Sequence, residues 1–160
     1  MCEWLEATSF GTFVREAPYA FQAFAAIHIL GLTMSVGILL WFDLRLLGFN
    51  LPNCRVSEVY RRLMIPWALA GFSTMFTTGA ILFTGFATKA YGNPYFRIKL
   101  TSLVLIAVNA VLFHSVTERR IGQWDDDARP PRSARLAGLI AIVLWTVVIL
   151  CGRMMSYTMF

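Results

Sequence analysis

Charge is scarce in this chain. Of its 160 residues only 14% are Asp, Glu, Lys or Arg, whereas 58% are hydrophobic; in soluble proteins charged residues run at about 25%. That balance excludes an ordinary water-soluble domain, and the length leaves no room for one beside the apolar stretches. Cysteine is sparse as well. Cys2, Cys54 and Cys151 lie far apart and form no CxxC pair, which removes the zinc and thioredoxin-type readings. There is no Gly-rich phosphate loop, no zinc signature and no nucleophile with a paired base. No catalytic set is legible, and an enzymatic role stays open only as membrane redox chemistry. A basic leader is missing too, because Met1 to Glu16 carries Glu3, Glu6 and Glu16. The first apolar run is therefore expected to stay in place as a span.

Four long apolar stretches make up most of the chain, at about 19–42, 65–86, 98–117 and 136–155. Each is long enough to cross a bilayer as a helix. The expected fold is all-α: one integral membrane domain over 1–160, a four-helix transmembrane bundle. Residues 2–14 put Trp4, Leu5, Phe10 and Phe13 roughly along one helical stripe. This predicts a short amphipathic helix on the membrane surface. Pro18 suits the first turn of span one, and Gly92-Asn93-Pro94 suits a turn before span three.

Span two is rich in small and hydroxyl residues, among them Gly71, Thr74, Thr78 and Gly79. Such residues let helices approach closely, so it should be an interior helix. Four short spans bury little surface against one another, which points to a homo-oligomer. The basic residues sit beside the span ends, where they anchor helices in the bilayer rather than bind nucleic acid. Loops one and three with their helix ends carry nine Arg, and the other side carries five Lys and Arg. That bias places the two loops inside and both termini outside. Asp43-Leu44-Arg45 at the end of span one suits an interfacial ion pair.

The two histidines, His28 and His114, both lie inside apolar stretches, where an ionisable side chain is costly and marks a candidate site. On the helical face of His28 stand Phe24 and Gly31, large aromatics and a glycine that suit a slot for a flat macrocycle. Imidazole is an axial ligand for haem iron. Small residues, Ala107 and Ala110, share the face of His114. The competing reading is that each histidine is neutral and hydrogen-bonded across the bundle; a proton relay is a third.

The two histidines differ in depth by roughly 10–15 Å at the helical rise. One haem b clamped between them is strained at that spacing, and two haems at different depths fit better. The second ligands stay open, with Met34, Met64, Met75 and Met154 as thioether candidates. Arg97, Lys99 and Arg153 on the His28 side, and Arg119 on the His114 side, are candidates to pair haem propionates. Interfacial snorkelling is the alternative. Cys151, Met154, Met155 and Met159 suit copper(I) by their softness, against which stands the ordinary packing of methionines at helix ends.

The stretches HILGL (His28 to Leu32), DLRLLG (Asp43 to Gly48) and NAVLFH (Asn109 to His114) resemble a family of small bacterial inner-membrane proteins of uncharacterised function. That resemblance implies the four-span topology and a bacterial inner membrane, with both termini periplasmic on the arginine count. More loosely, histidines in a small four-helix bundle are similar to membrane b-type cytochromes, without paired histidines on every ligating helix. The second resemblance implies haem and electron transfer.

Overall fold

The computed structural model describes residues 1–49, 55–117 and 130–159, and among them it is all-helical with no strand. Two short helices open the chain, α1 (Cys2–Glu6) and α2 (Ser9–Glu16). Helix α3 (Ala20–Leu47) comes next, then α4 (Val56–Glu58). The latter runs through a π-helical stretch (Val59–Met64) into α5 (Ile65–Gly85) without a break. Helix α6 (Ala87–Gly92) leads to α7 (Pro94–Leu112), which ends in a second π-helical turn (Phe113–Thr117); α8 (Arg132–Met159) closes the chain. Four helices, α3, α5, α7 with its extension, and α8, are long and apolar enough to cross a membrane. Large apolar side chains such as Leu30, Phe76, Val104, Val111 and Leu150 point outward, as a bilayer solvent requires.

The element ends obey local chemistry. The Thr8 hydroxyl accepts from the Gly11 amide at 3.1 Å and starts α2. Asn93 accepts from the Tyr95 amide at 2.9 Å and, with Pro94 behind it, starts α7. Gly48 ends α3 at φ 84°, with Gly48 N–H on Arg45 O and Phe49 N–H on Leu44 O, the paired bonds of a glycine-terminated helix. Helix α3 therefore runs five residues past the expected end. Pro18 is not in its first turn: it lies in the turn before, and Tyr19 stands at the N-cap with φ 65°. Helices α7 and α8 each begin four residues earlier than expected.

The N-terminal segment is two helices rather than one, and it is docked. Val14 is fully buried against Gly85, whose Cβ would come within 3.0 Å of it. A Cβ on Gly11 would meet Thr84 O at 2.9 Å, and Glu6 Oε1 accepts from the Thr88 amide at 2.7 Å. Trp4, Phe10 and Phe13 remain exposed. The bundle thus has a termini end, holding α1, α2, α6 and the end of α8, and an opposite loop end.

The tightest crossing is α3 on α5. A Cβ on Gly71 would lie 2.7 Å from Ser35 N and 2.8 Å from Gly31 O, and one on Gly31 would lie 3.0 Å from Met75 N. Small residues at the crossing are what allow two helix backbones to touch, as the composition of span two predicts. Helix α8 packs on both α3 and α7, but α5 and α7 make no comparable backbone contact. Side chains bridge that seam, notably the stacked Phe83 and Phe96 rings at 5.4 Å. Among the described residues a cavity lies towards each end of the bundle.

Candidate functional site

The termini-end cavity has a volume of about 410 Å³, within the ~300–1,000 Å³ usual for small-molecule and cofactor sites. All four spanning helices line it. Its walls are mainly apolar, with the Phe21, Phe83, Phe86 and Phe96 rings, and its polar side chains are His28, Lys99, Arg153 and Ser156. These polar groups sit within two to three turns of the helix ends, so they share one level of the bundle.

His28 is held on two sides. A Cβ on Gly79 would lie 3.1 Å from its Cε1, a tight contact, so glycine there lets the ring sit close against α5. Its Nδ1 is 3.1 Å from Thr78 Oγ1. The Thr78 hydroxyl already donates to Thr74 O at 2.6 Å. With that proton on Thr74 O, Thr78 accepts from the ring, an arrangement that puts the proton on Nδ1 and leaves the lone pair on Nε2. A ring oriented by a hydrogen bond at one nitrogen and basic at the other is what a metal-ligating histidine needs. Arg153 donates to Tyr157 Oη at 2.8 Å and lies over that ring, which steadies it at the cavity edge.

The sequence-predicted residues divide. His28, Lys99 and Arg153 come together here. Phe24 and Gly31 do not line the cavity: Gly31 faces the backbone of α5, where it permits the helix crossing. Arg97 is exposed and donates to Tyr91 O at 3.2 Å, away from the cavity. Arg119 lies outside the described residues. Of the methionines, Met155 rather than Met154 shares the cavity with His28; Met154 is 41% exposed, and Met75 is buried at the α3 crossing.

His114 is elsewhere. It is exposed on the π-helical turn after α7, with Nδ1 at 3.4 Å from Tyr60 Oη. The partners of the two histidines, Tyr60 and Thr78, stand on one continuous helical run. Their spacing amounts to about 25 Å of helix axis, more than the 10–15 Å expected from the spans. The two imidazoles do not converge on one iron. Among the described residues no three His, Cys, Asp or Glu side chains cluster as a metal site.

The second cavity, of about 280 Å³, lies towards the loop end. Asp43 and Asn109 line it among apolar and aromatic residues. This corrects the reading of Asp43 and Arg45 as an interfacial ion pair. Both are buried, at 6% and 1% exposure, and no ion pair joins them. Asp43 ends up inward because α3 continues to Leu47, carrying that turn into the packed interior. Nothing in local sequence distinguishes it from an interfacial aspartate. Gly79 and Thr78 were legible as small residues that let helices approach, but their pairing with His28 was not. The interior place expected for span two is corrected: among the spanning helices α5 packs closely on α3 alone, whereas α8 packs on two.

The chain belongs to a family of unknown function, DUF6644, whose model matches residues 1–158. No curated protein and no solved structure matches it.

Proposed function

We propose that this protein binds haem b in the termini-end cavity and moves electrons within or across the bilayer, with His28 as iron ligand. The observation that carries this reading is the placement of His28 at the wall of an aromatic cavity beside Lys99 and Arg153, with Nδ1 held on Thr78 so that Nε2 can serve a ligand. When bound, haem supplies a one-electron couple whose potential is set by its axial ligands and surroundings. Thr78 holds the imidazole plane, and Gly79 leaves the space for it. Lys99 and Arg153 supply the positive charge that two propionates need, in a setting where charge-assisted bonds are strong. Met155 offers a thioether as the second ligand. The phenyl walls exclude water from the site.

The reading takes one haem per chain, because His114 lies outside both cavities. It further places the protein in a bacterial inner membrane, on the family resemblance, as a homo-oligomer, because four short spans bury little surface against one another, and with both termini periplasmic, from the arginine bias of the loops. The rival reading, a non-haem membrane interaction or transport protein, takes the His28–Thr78 bond as a packing contact between α3 and α5. Copper at the Cys151–Met155 turn has less support, since Met154 faces away from the cavity that Met155 lines. Absorption spectra of the protein purified after haem-replete expression separate these. A Soret band that shifts on reduction, lost in His28→Ala, is expected; a colourless preparation selects the rival.

A further inference from the structure

The loop-end cavity is built differently from the one that holds His28. Among the described residues it has no cation and no histidine in its lining. Phe42, Phe72, Phe113 and Trp145 give it aromatic walls. Its polar groups are the Asp43 carboxyl, the Asn109 amide, the Tyr60 hydroxyl and the Trp145 N–H, and of these only the carboxyl can present acceptors alone. The Asn109 amide nitrogen donates one of its two N–H groups to Ala137 O at 3.0 Å, which leaves the other N–H and Oδ1 for a ligand. Among the described residues the Asp43 carboxyl makes no hydrogen bond or ion pair, although the residue is only 6% exposed. A buried carboxyl without a partner is costly, and costlier at membrane depth. An apolar cavity wall does not relieve that cost; a ligand with donors does.

We infer that this cavity binds a neutral aromatic diol of the hydroquinone class. A hydroxyl both donates and accepts, so it satisfies the carboxyl of Asp43 in either protonation state, and a second hydroxyl can serve Asn109 Oδ1. The flat ring matches the aromatic walls. A cationic amine fits less well, because a buried ion pair costs more in desolvation than it returns unless further bonds surround it. The access route fits a membrane-dissolved molecule as well: the cavity is lined from α5 and α7 together, the helix pair whose backbones stay apart. A quinone, which has only acceptors, can bond the remaining Asn109 N–H but not an ionised Asp43 carboxylate. This site does not depend on haem at His28.

The test is binding of a short-chain benzoquinol, kept reduced under anaerobic conditions, to the full chain in lipid nanodiscs. Its quinone serves as paired control, and quenching of tryptophan fluorescence as readout. The quinol should bind about tenfold tighter than the quinone, equivalent to ~1.4 kcal/mol. Asp43→Asn keeps the side-chain volume but adds N–H donors, so the quinone should gain and the ratio narrow to about threefold or less. Asp43→Leu should abolish the preference. Equal binding of the two forms to the wild type overturns the inference, as does an unchanged ratio in Asp43→Asn. Displacement of the quinol by a lipophilic amine at lower concentration overturns it too. If Asp43→Asn fails to assemble, the wild-type ratio alone decides.

Discussion

His28 and His114 are the same side chain in similar apolar surroundings of sequence, yet the fold treats them differently. His28 lies where α3 crosses a glycine of α5, with one nitrogen 3.1 Å from the Thr78 hydroxyl, which is also bonded to Thr74 O. It shares a cavity with two cations and several aromatic rings. His114 sits on a π-helical turn beyond the end of α7, exposed, with a longer contact to a tyrosine. A π turn holds an extra residue and so rotates the side chains on it away from the α-helical register, and His114 is one of those side chains. An ionisable residue within an apolar run is thus a candidate site only where neighbouring helices close round it.

The most damaging way to break this comparison is to part the helices that frame His28. Gly71→Leu forces a side chain into the backbone of Ser35 and Gly31. A loss of about 3 kcal/mol or more is expected where neighbouring backbone cannot yield. It should appear as aggregation on detergent extraction at temperatures the wild type survives. Next in size is the contrast between the histidines themselves. His28→Ala should remove nearly all bound haem, whereas His114→Ala should leave the haem content and spectrum close to wild type. Quantified haem per chain checks both, and equal losses would erase the distinction between the two histidines.

Removing the tautomer control should be milder. Thr78→Val keeps shape but takes away the acceptor for Nδ1, and loss of such an outer partner typically costs about 10–100-fold in affinity. Haem titration of the apo-protein measures it. Smaller again are the cations: Lys99→Gln and Arg153→Gln should each weaken haem about tenfold, near the weight of one charge-assisted bond. Arg97→Gln, outside the cavity, should change nothing in the same titration. At the far end, Tyr60→Phe keeps the ring and removes the hydroxyl that His114 approaches at 3.4 Å, and a thermal unfolding curve should shift by no more than about 0.5 kcal/mol.

Much of this architecture is legible in residue order. Periodic apolar length sets the number of spanning helices, because in hydrocarbon every backbone group must be bonded within its own helix. Gly71 and Gly79 announce close packing through their lack of a side chain, and Gly48 and Asn93 mark helix ends through local bonds. Such features depend on neighbours within a turn or two, so sequence determines them by itself. Only the tertiary structure decided which of Lys99, Arg97 and Arg153 meet His28, that Gly31 packs helices instead of walling a cavity, that Met155 and not Met154 turns inward, and that Asp43 is interior. Each of those depends on the rotation of one helix about its axis relative to another. An almost uniformly apolar helix, such as α3 or α7, has no polar face to announce that rotation, so it is settled by contacts between residues far apart in the chain.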